Sequence, residues 1–396
     1  MKSGWMRRIR AAAAVLALAG GVWAQGAGGA EIKNVTALFL WPWTNAVGIE
    51  WEVDGEVAMK SSVAVVASDR YRSDGYIALA DELSGDTSLS KGTHAEKHCV
   101  LWNLATQRIG NSPKVEFTVV YFPESYCVVD LSGGTNAPSY PVTYLDAPPS
   151  GGFNTDAYKT TKLVLRRVDA GTFTMGYSSA PYQVTLTKPF YVGLFEVTQK
   201  QWTLVMGDNP MSSYTGDMLP VGNVNYNMIR GSSTGTNWPA SNAVDASSFL
   251  GKLRAKTGLE FDLPTEAQWE YACRAGTTNT FNNGGDNSSC MRKLGKCWPR
   301  FSPVGSVGPT NAGCYTANAG GLYDMHGNMS ELCLDWFGEL SAGTDPKGPS
   351  SGSERVMRGG GWNTDEFKCT SYSRDSIAPT NTNNSIGFRL VRPLSE

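Results

Sequence analysis

From Gly276 to Glu396 the chain has almost no regular hydrophobic periodicity. Gly, Asn, Ser and Thr alternate there with scattered Trp, Tyr and Phe. A stretch of that length inside a compact domain constrains the fold, because irregular backbone must satisfy its polar groups without helix or sheet ladders. Such a segment is expected to carry function, or to be held by disulfides or metal ions. The composition suits an ordered chain: 44 Gly and 12 Trp stand beside only 18 % charged residues. A formal net charge of −2 provides no basic face for nucleic acid or an acidic membrane surface.

Ahead of this segment the sequence is more regular. "EVTQKQWTLVMG" predicts a helix with Thr198 as N-cap, Gln201 completing a capping box, and Trp202, Val205 and Met206 on one face. "LPTEAQWEYACRAG" repeats the device with Thr265 and Gln268, turns Trp269, Ala272 and Cys273 inward, and closes at Gly276. "NAVDASSFLGKLRAKTG" between them predicts a third helix that ends at Gly258. Residues 32–146 read differently. "VGIEWEV" puts Val47, Ile49, Trp51 and Val53 on one face, and "VEFTVVYF" alternates likewise through Val115, Phe117, Val119 and Tyr121. Short alternating strands between polar turns predict an all-β sandwich of immunoglobulin or fibronectin type, a spacer or adhesion module without catalytic residues. The Pro/Gly/Ser-rich "DAPPSGGFNTD" marks a linker over residues 147–160, and the second domain is expected over 161–394.

The N-terminus has the order of a secretory signal. Basic "MKSGWMRRIR" precedes a short apolar run and small residues, with cleavage expected after Ala24 or as late as Ala30. That run is shorter than the roughly 20 residues a spanning helix needs, and no later run reaches that length. The mature chain is therefore expected to be secreted, periplasmic or at the cell surface, with no integral membrane segment. In an oxidising compartment the eight cysteines become candidates for disulfides, whose connectivity spacing cannot give. Cys99 and Cys127 fall in the first part, and Cys273, Cys290, Cys297, Cys314, Cys333 and Cys369 in the second. No CxxC pair occurs, and His94, His98 and Cys99 lack further ligands nearby, so zinc is not expected.

Six blocks then occur in a telling order: "AGTFTMG", "EVTQKQW", "LPTEAQWEYACRAG", "GLYDMHGNMSEL", "RVMRGGGW" and "GFRLVRP". Together, over about residues 160–394, they resemble the formylglycine-generating enzymes, or sulfatase-modifying factor domains. The resemblance implies an α+β fold of C-type-lectin-like kind with little regular secondary structure. It leaves function open, because the family holds copper-dependent oxidases that convert a sulfatase cysteine to formylglycine, iron-dependent sulfoxide synthases, and binding proteins that display a variable surface.

The copper members hold the soft ion between two thiolates. In the family pattern these cysteines lie two and seven residues after the Trp of the RGGxW block. Counted from Trp362, the seventh position is Cys369 but the second is Thr364, a hard neutral oxygen donor. Gly361 also stands where catalytic members often carry Ser. Copper is therefore not expected to bind tightly, and Cys369 reads as a buried thiol or half of a disulfide, with Cys333 as one conceivable partner. The iron branch needs a histidine cluster, and this domain has only His326. "GLYDMHGNMSEL" is the block that wraps calcium in the family. The resemblance implies Asp324 and Glu331 as carboxylate ligands, with Gly327 and Met329 through their carbonyls, a hard-oxygen set that suits calcium. Ser330 and Leu332 replace the usual Trp residues there. The expected function is a secreted module binding a polypeptide or glycan without copper-dependent cysteine oxidation. The alternative is an active or diverged oxidoreductase that makes formylglycine with oxygen.

Overall fold

The structure is a computed structural model. It describes the paired strands between Glu31 and Pro123, then residues 124–394 apart from 178, 180 and 299–306. The segment expected to be a secretory signal and His94 lie outside the described residues. The chain divides into two compact units, the first comprising residues 1–125 and 144–149, the second 126–143 and 150–396.

In the first unit, Glu31–Phe39, Ala46–Asp54, His98–Asn103 and Leu83–Gly85 neighbour one another in an antiparallel sheet. Glu116–Pro123, Ser61–Asp69 and Arg72–Ile77 form another. The alternation in "VGIEWEV" appears as Ile49, Trp51 and Val53 buried, with Glu50 exposed. Side-chain burial of "VEFTVVYF" lies outside the described residues.

The second unit mixes helices and sheets. One sheet runs Tyr126–Asp130, Lys162–Val168, Phe190–Gly193 and Val391–Pro393, all antiparallel, and joins the start of the unit to its end. The boundary expected at residue 146 is therefore displaced. Tyr126–Asp130 already pairs with Lys162–Val168, because Cys127, Val128 and Val129 are apolar enough to be buried in that sheet. Cys127 consequently belongs to the second unit.

The helices follow their sequence signals. Gln199–Met206 starts with a Thr198/Gln201 capping box and stops at left-handed Gly207. Glu266–Arg274 has the Thr265/Gln268 box, but its left-handed cap is Ala275 (φ 45°), one residue before Gly276. Phe249–Thr257 begins later than the apolar pattern suggests. Asp245, inside the expected helix, instead accepts hydrogen bonds from the amides of Ser233, Thr234 and Gly235. Ser248 then caps the helix and Gly258 ends it.

The tail beyond Gly276 is more ordered than its sequence suggests. Arg374–Ile377, Arg355–Arg358, Ser330–Trp336 and Ile386–Gly387 form a four-stranded sheet. Its central strands are buried almost throughout, so no in–out alternation marks them. Trp269, Cys273, Cys333, Val356, Val184 and Phe190 close the core beneath it.

Candidate functional site

The segment expected to hold calcium is a tight turn leading into Ser330–Trp336. Asp324, Gly327 and Asn328 adopt left-handed backbone, with φ of 54°, 78° and 65°. A Cβ at Gly327 would lie 2.2 Å from the Lys296 carbonyl oxygen, so glycine alone fits there. Neighbouring segments fix the turn: the Gly327 amide donates to the Gly359 carbonyl (2.7 Å), Asn328 to Lys296 (2.8 Å), and Trp362 to Asn328 (2.7 Å).

Three buried carboxyls converge behind the turn on one guanidinium. Arg389 donates from Nε to Glu331 Oε2 (2.7 Å) and from Nη2 to Oε1 (2.6 Å), a two-pronged pair. Trp269 Nε1 also donates to Glu331 Oε2, at 2.6 Å. Glu196, which the sequence did not single out, accepts from the Met329 amide (2.8 Å) and from Asn328 Nδ2 (2.6 Å). Asp324 Oδ2 accepts from the Gly313 amide at 2.6 Å, whereas Oδ1 is buried with no hydrogen-bond partner among the described residues. Burial raises the Asp324 carboxyl to about 6, against the Gly313 amide and Arg389. Burial, then the charges of Asp324 and Glu331, push Glu196 well above the usual carboxylate range.

Of the expected calcium donors, Asp324 has a buried oxygen without a hydrogen-bond partner among the described residues, the kind of atom a hard cation would complete. Both Glu331 oxygens are bonded by Arg389, with Trp269 on one of them. Among the described residues no group of three or more His, Cys, Asp and Glu side chains is arranged to hold a metal.

Cys369 lies beside the same turn, its carbonyl bonded to His326 Nδ1. It is fully buried with Phe281, Met291, Leu294 and Cys297. Thr364 Oγ1 sits 3.6 Å from its sulfur and also bonds the Gly361 amide and carbonyl, each at 2.9 Å. Cys333, the one conceivable partner named from the sequence, belongs to the core around Trp269, and the buried thiol that shares the cluster of Cys369 is Cys297. The neighbouring Cys369 thiol lowers the Cys297 thiol, and Cys297, together with burial, raises Cys369 well above the usual range. A backbone bridge makes the encounter: Trp298 pairs with Asp365, and its amide donates to the Thr364 carbonyl at 2.8 Å. "GKCWPR" gave no periodic signal that could have shown this pairing. Among the described residues all eight cysteines are unbridged.

His326 is structural here. Its Nε2 accepts from the Asn282 amide at 3.2 Å, which leaves the proton on Nδ1 to donate to the Cys369 carbonyl at 2.6 Å. Burial lowers this imidazole to about 4, so it stays neutral at ordinary pH. On the far side Arg358 pairs with Glu270 and donates to the carbonyls of Ser371, Tyr372 and Ser373, anchoring the loop that follows Cys369. Two side chains of this face are open to solvent: Trp298 is 53 % and Phe367 69 % exposed.

Known proteins resemble this chain to different extents. A formylglycine-generating enzyme of Streptomyces coelicolor is 35 % identical over 144 residues, 33 % of this chain and 46 % of the enzyme. A serine/threonine-protein kinase pkn1 of Chlamydia caviae is 37 % identical over 138 residues, covering 33 % of this chain and 21 % of the kinase. The chain thus spans less than half the length of either. The chaperone protein LppX of Paenibacillus barcinonensis is 29 % identical over 260 residues, 57 % of this chain and 88 % of that protein. Among solved structures, Treponema denticola variable protein 1 is 26 % identical and superposes with a TM-score of 0.49, covering 59 % of this chain and 96 % of its own. The model of the sulfatase-modifying factor enzyme 1-like domain matches residues 153–394, well over half of the chain, so the chain belongs to that family, the family of the formylglycine-generating enzymes.

Proposed function

We propose that this protein is an exported binding module built on the formylglycine-generating-enzyme scaffold, without copper-dependent cysteine oxidation. One observation carries the reading. At the position of the second copper thiolate stands Thr364, its hydroxyl held by Gly361, beside a Cys369 that is fully buried. Copper(I) needs accessible soft ligands, and an alcohol is neither soft nor ionised at ordinary pH. The aromatic side chains Trp298 and Phe367, exposed over that buried pair, are suited to an apolar ligand surface. A polypeptide is the ligand class favoured over a glycan, since the relative matched over most of its length bears a chaperone's name. The β-strands of the first unit serve as a sandwich-type spacer. The direct test supplies copper(I), oxygen and a cysteine peptide to the purified protein: no aldehyde is expected, and steady aldehyde formation overturns the reading.

The oxidoreductase reading has one observation in its favour, the Cys297 thiol buried in the same cluster as Cys369. Copper bound by that pair would require both sulfurs to be reached from solvent, and both are fully buried.

A calcium ion at Asp324, with the carbonyls of Gly327 and Met329, belongs to the same reading. It would add positive charge to a buried cluster of three carboxyls and one guanidinium. Because an ion that binds only the folded state stabilises it by mass action, a chelator should lower the unfolding midpoint by about 5 °C or more. Asp324→Ala should erase that difference, while Glu331→Ala, though destabilised, should retain it. An identical midpoint with and without chelator removes calcium from the account.

Export rests on the basic and apolar order of the first 24 residues and on Ala-rich cleavage sites. Among the described residues no helix is long and apolar enough to cross a membrane. N-terminal sequencing of exported material should begin after Ala24 or Ala30; a start at Met1 contradicts it.

A further inference from the structure

We propose that Cys297 and Cys369 are a disulfide-forming pair, closed by exchange with an external disulfide, and that this bond staples the irregular tail beneath Trp298 and Phe367. The two residues are far apart in sequence, on segments without regular structure, yet both side chains are fully buried in one small apolar cluster. Backbone contacts hold them there independently of the thiols. The Trp298–Asp365 bridge fixes the first segment against the second, and the Asn328 amide holds the Lys296 carbonyl at 2.8 Å. On the other side the Cys369 amide donates to Glu366 O at 3.1 Å, and His326 holds the Cys369 carbonyl at 2.6 Å. The placement of the pair is therefore set by the fold, which keeps the two thiols in one cluster, and such proximity is what bond formation requires.

The chemistry balances with an ordinary disulfide, RSSR, as oxidant. Cys297, whose thiol is the lowered one of the pair, loses its proton and attacks one sulfur of RSSR. That step forms a mixed disulfide on Cys297 and releases one thiolate, which takes up the proton as RSH. Cys369 then loses its proton and attacks the Cys297 sulfur, and the second RSH leaves. Two electrons pass from the protein thiols to RSSR, and both thiol protons end on the two RSH. Closing so long a loop constrains the unfolded chain strongly, which is the kind of staple an irregular segment needs. It also withdraws Cys369 from any thiolate chemistry.

The sequence makes the test direct. Trypsin cuts after Lys296 and Arg300 and after Lys368 and Arg374, so Cys297 and Cys369 emerge in the separate peptides "CWPR" and "CTSYSR", while Cys290 lies in another. The full chain is unfolded, refolded in a buffer of reduced and oxidised glutathione so that burial is no barrier, blocked at its remaining thiols, and digested without reductant. The expected product is "CWPR" joined to "CTSYSR". Recovery of both as blocked single peptides, or of "CWPR" joined to the peptide of Cys290, overturns the proposal. As a second readout, reduction should lower the unfolding midpoint of the wild type by roughly 5–10 °C. Cys297→Ser should show no such response, whereas Cys333→Ser should keep it. An equal response of wild type and Cys297→Ser to reduction also overturns the proposal.

Discussion

Replacing Arg389 by methionine is expected to destabilise the second unit by about 3–5 kcal/mol at pH 8, the range for removing one partner of a buried ion pair. The reason lies in the count of charges around it. Glu331 loses both prongs of its pair, and Glu196 and Asp324 lose the guanidinium that opposes their burial. Arg389 also donates to the carbonyls of Gly193 (3.0 Å) and Tyr323 (2.9 Å), which lose their donors as well. Against a typical total stability of about 5–15 kcal/mol, the loss approaches unfolding. The effect should depend on pH in a definite direction. Asp324 has a folded pKa of about 6, raised chiefly by burial, and Glu196 is raised well above its ordinary value for the same first reason. For acids raised in the fold, stability falls as pH climbs from the unfolded carboxylate pKa of roughly 4 through the folded value. Arg389 lowers both groups, so its removal raises them further and stretches that window upward. The cost of Arg389→Met should accordingly shrink at pH 5, where protons replace the lost cation. Denaturant midpoints at the two pH values measure both quantities. A variant within about 1 kcal/mol of wild type at pH 8 would mean that the cluster is balanced by something other than Arg389.

This cluster also shows how far residue patterns reach. "GLYDMHGNMSEL" was legible as a special loop through its resemblance to the calcium-wrapping block of the family, and its Asp324, Gly327 and Asn328 adopt left-handed backbone. Which partner each carboxyl takes was not legible. Glu196 sits in "FEVTQ" ahead of a helix cap and Arg389 in "GFRLVRP" near the end; only the folded sheet brings them to Glu331 and Asn328. Two of the helices were readable because Thr198 and Thr265 cap locally, each accepting from the backbone amide three residues on. The tail sheet was not, because strands such as "SELCLDW" and "RVMR" are buried on both faces. Their Glu, Asp and Arg side chains are matched to distant partners and are not turned to water, so the alternation that identifies half-exposed strands is missing. The Cys369 site divides likewise: Thr364 at the thiolate position was a matter of counting, whereas Cys297 arrives through one backbone bridge between two loops.

In the fully reduced protein, Thr364→Cys is expected to raise copper(I) affinity roughly tenfold to a hundredfold, the span by which ligand-shell changes alter metal binding. The geometry favours it. Thr364 Oγ1 already lies 3.6 Å from the Cys369 sulfur, so a thiol in its place points at the second ligand without movement of the backbone. Wild type offers oxygen at that position, and soft monovalent copper discriminates strongly against it. The hydroxyl also bonds the Gly361 amide and carbonyl, which thiol replaces only weakly, so the loop should loosen slightly and expose the site. Turnover is a separate matter. A side chain at Gly361 would meet Ser385, whose Cβ and carbonyl oxygen lie 3.0 Å from the position of a new Cβ, so restoring the serine of catalytic relatives requires Ser385 to shift. Thr364→Cys alone should therefore bind copper(I) without oxidising a cysteine peptide. Adding Cys297→Ser distinguishes the ligands: retained affinity assigns the site to positions 364 and 369, and a fall to the wild-type level assigns it to Cys297. If a competitive copper(I) titration finds Thr364→Cys no tighter than wild type, the segment from Trp362 to Cys369 does not hold the two-thiolate geometry of its relatives.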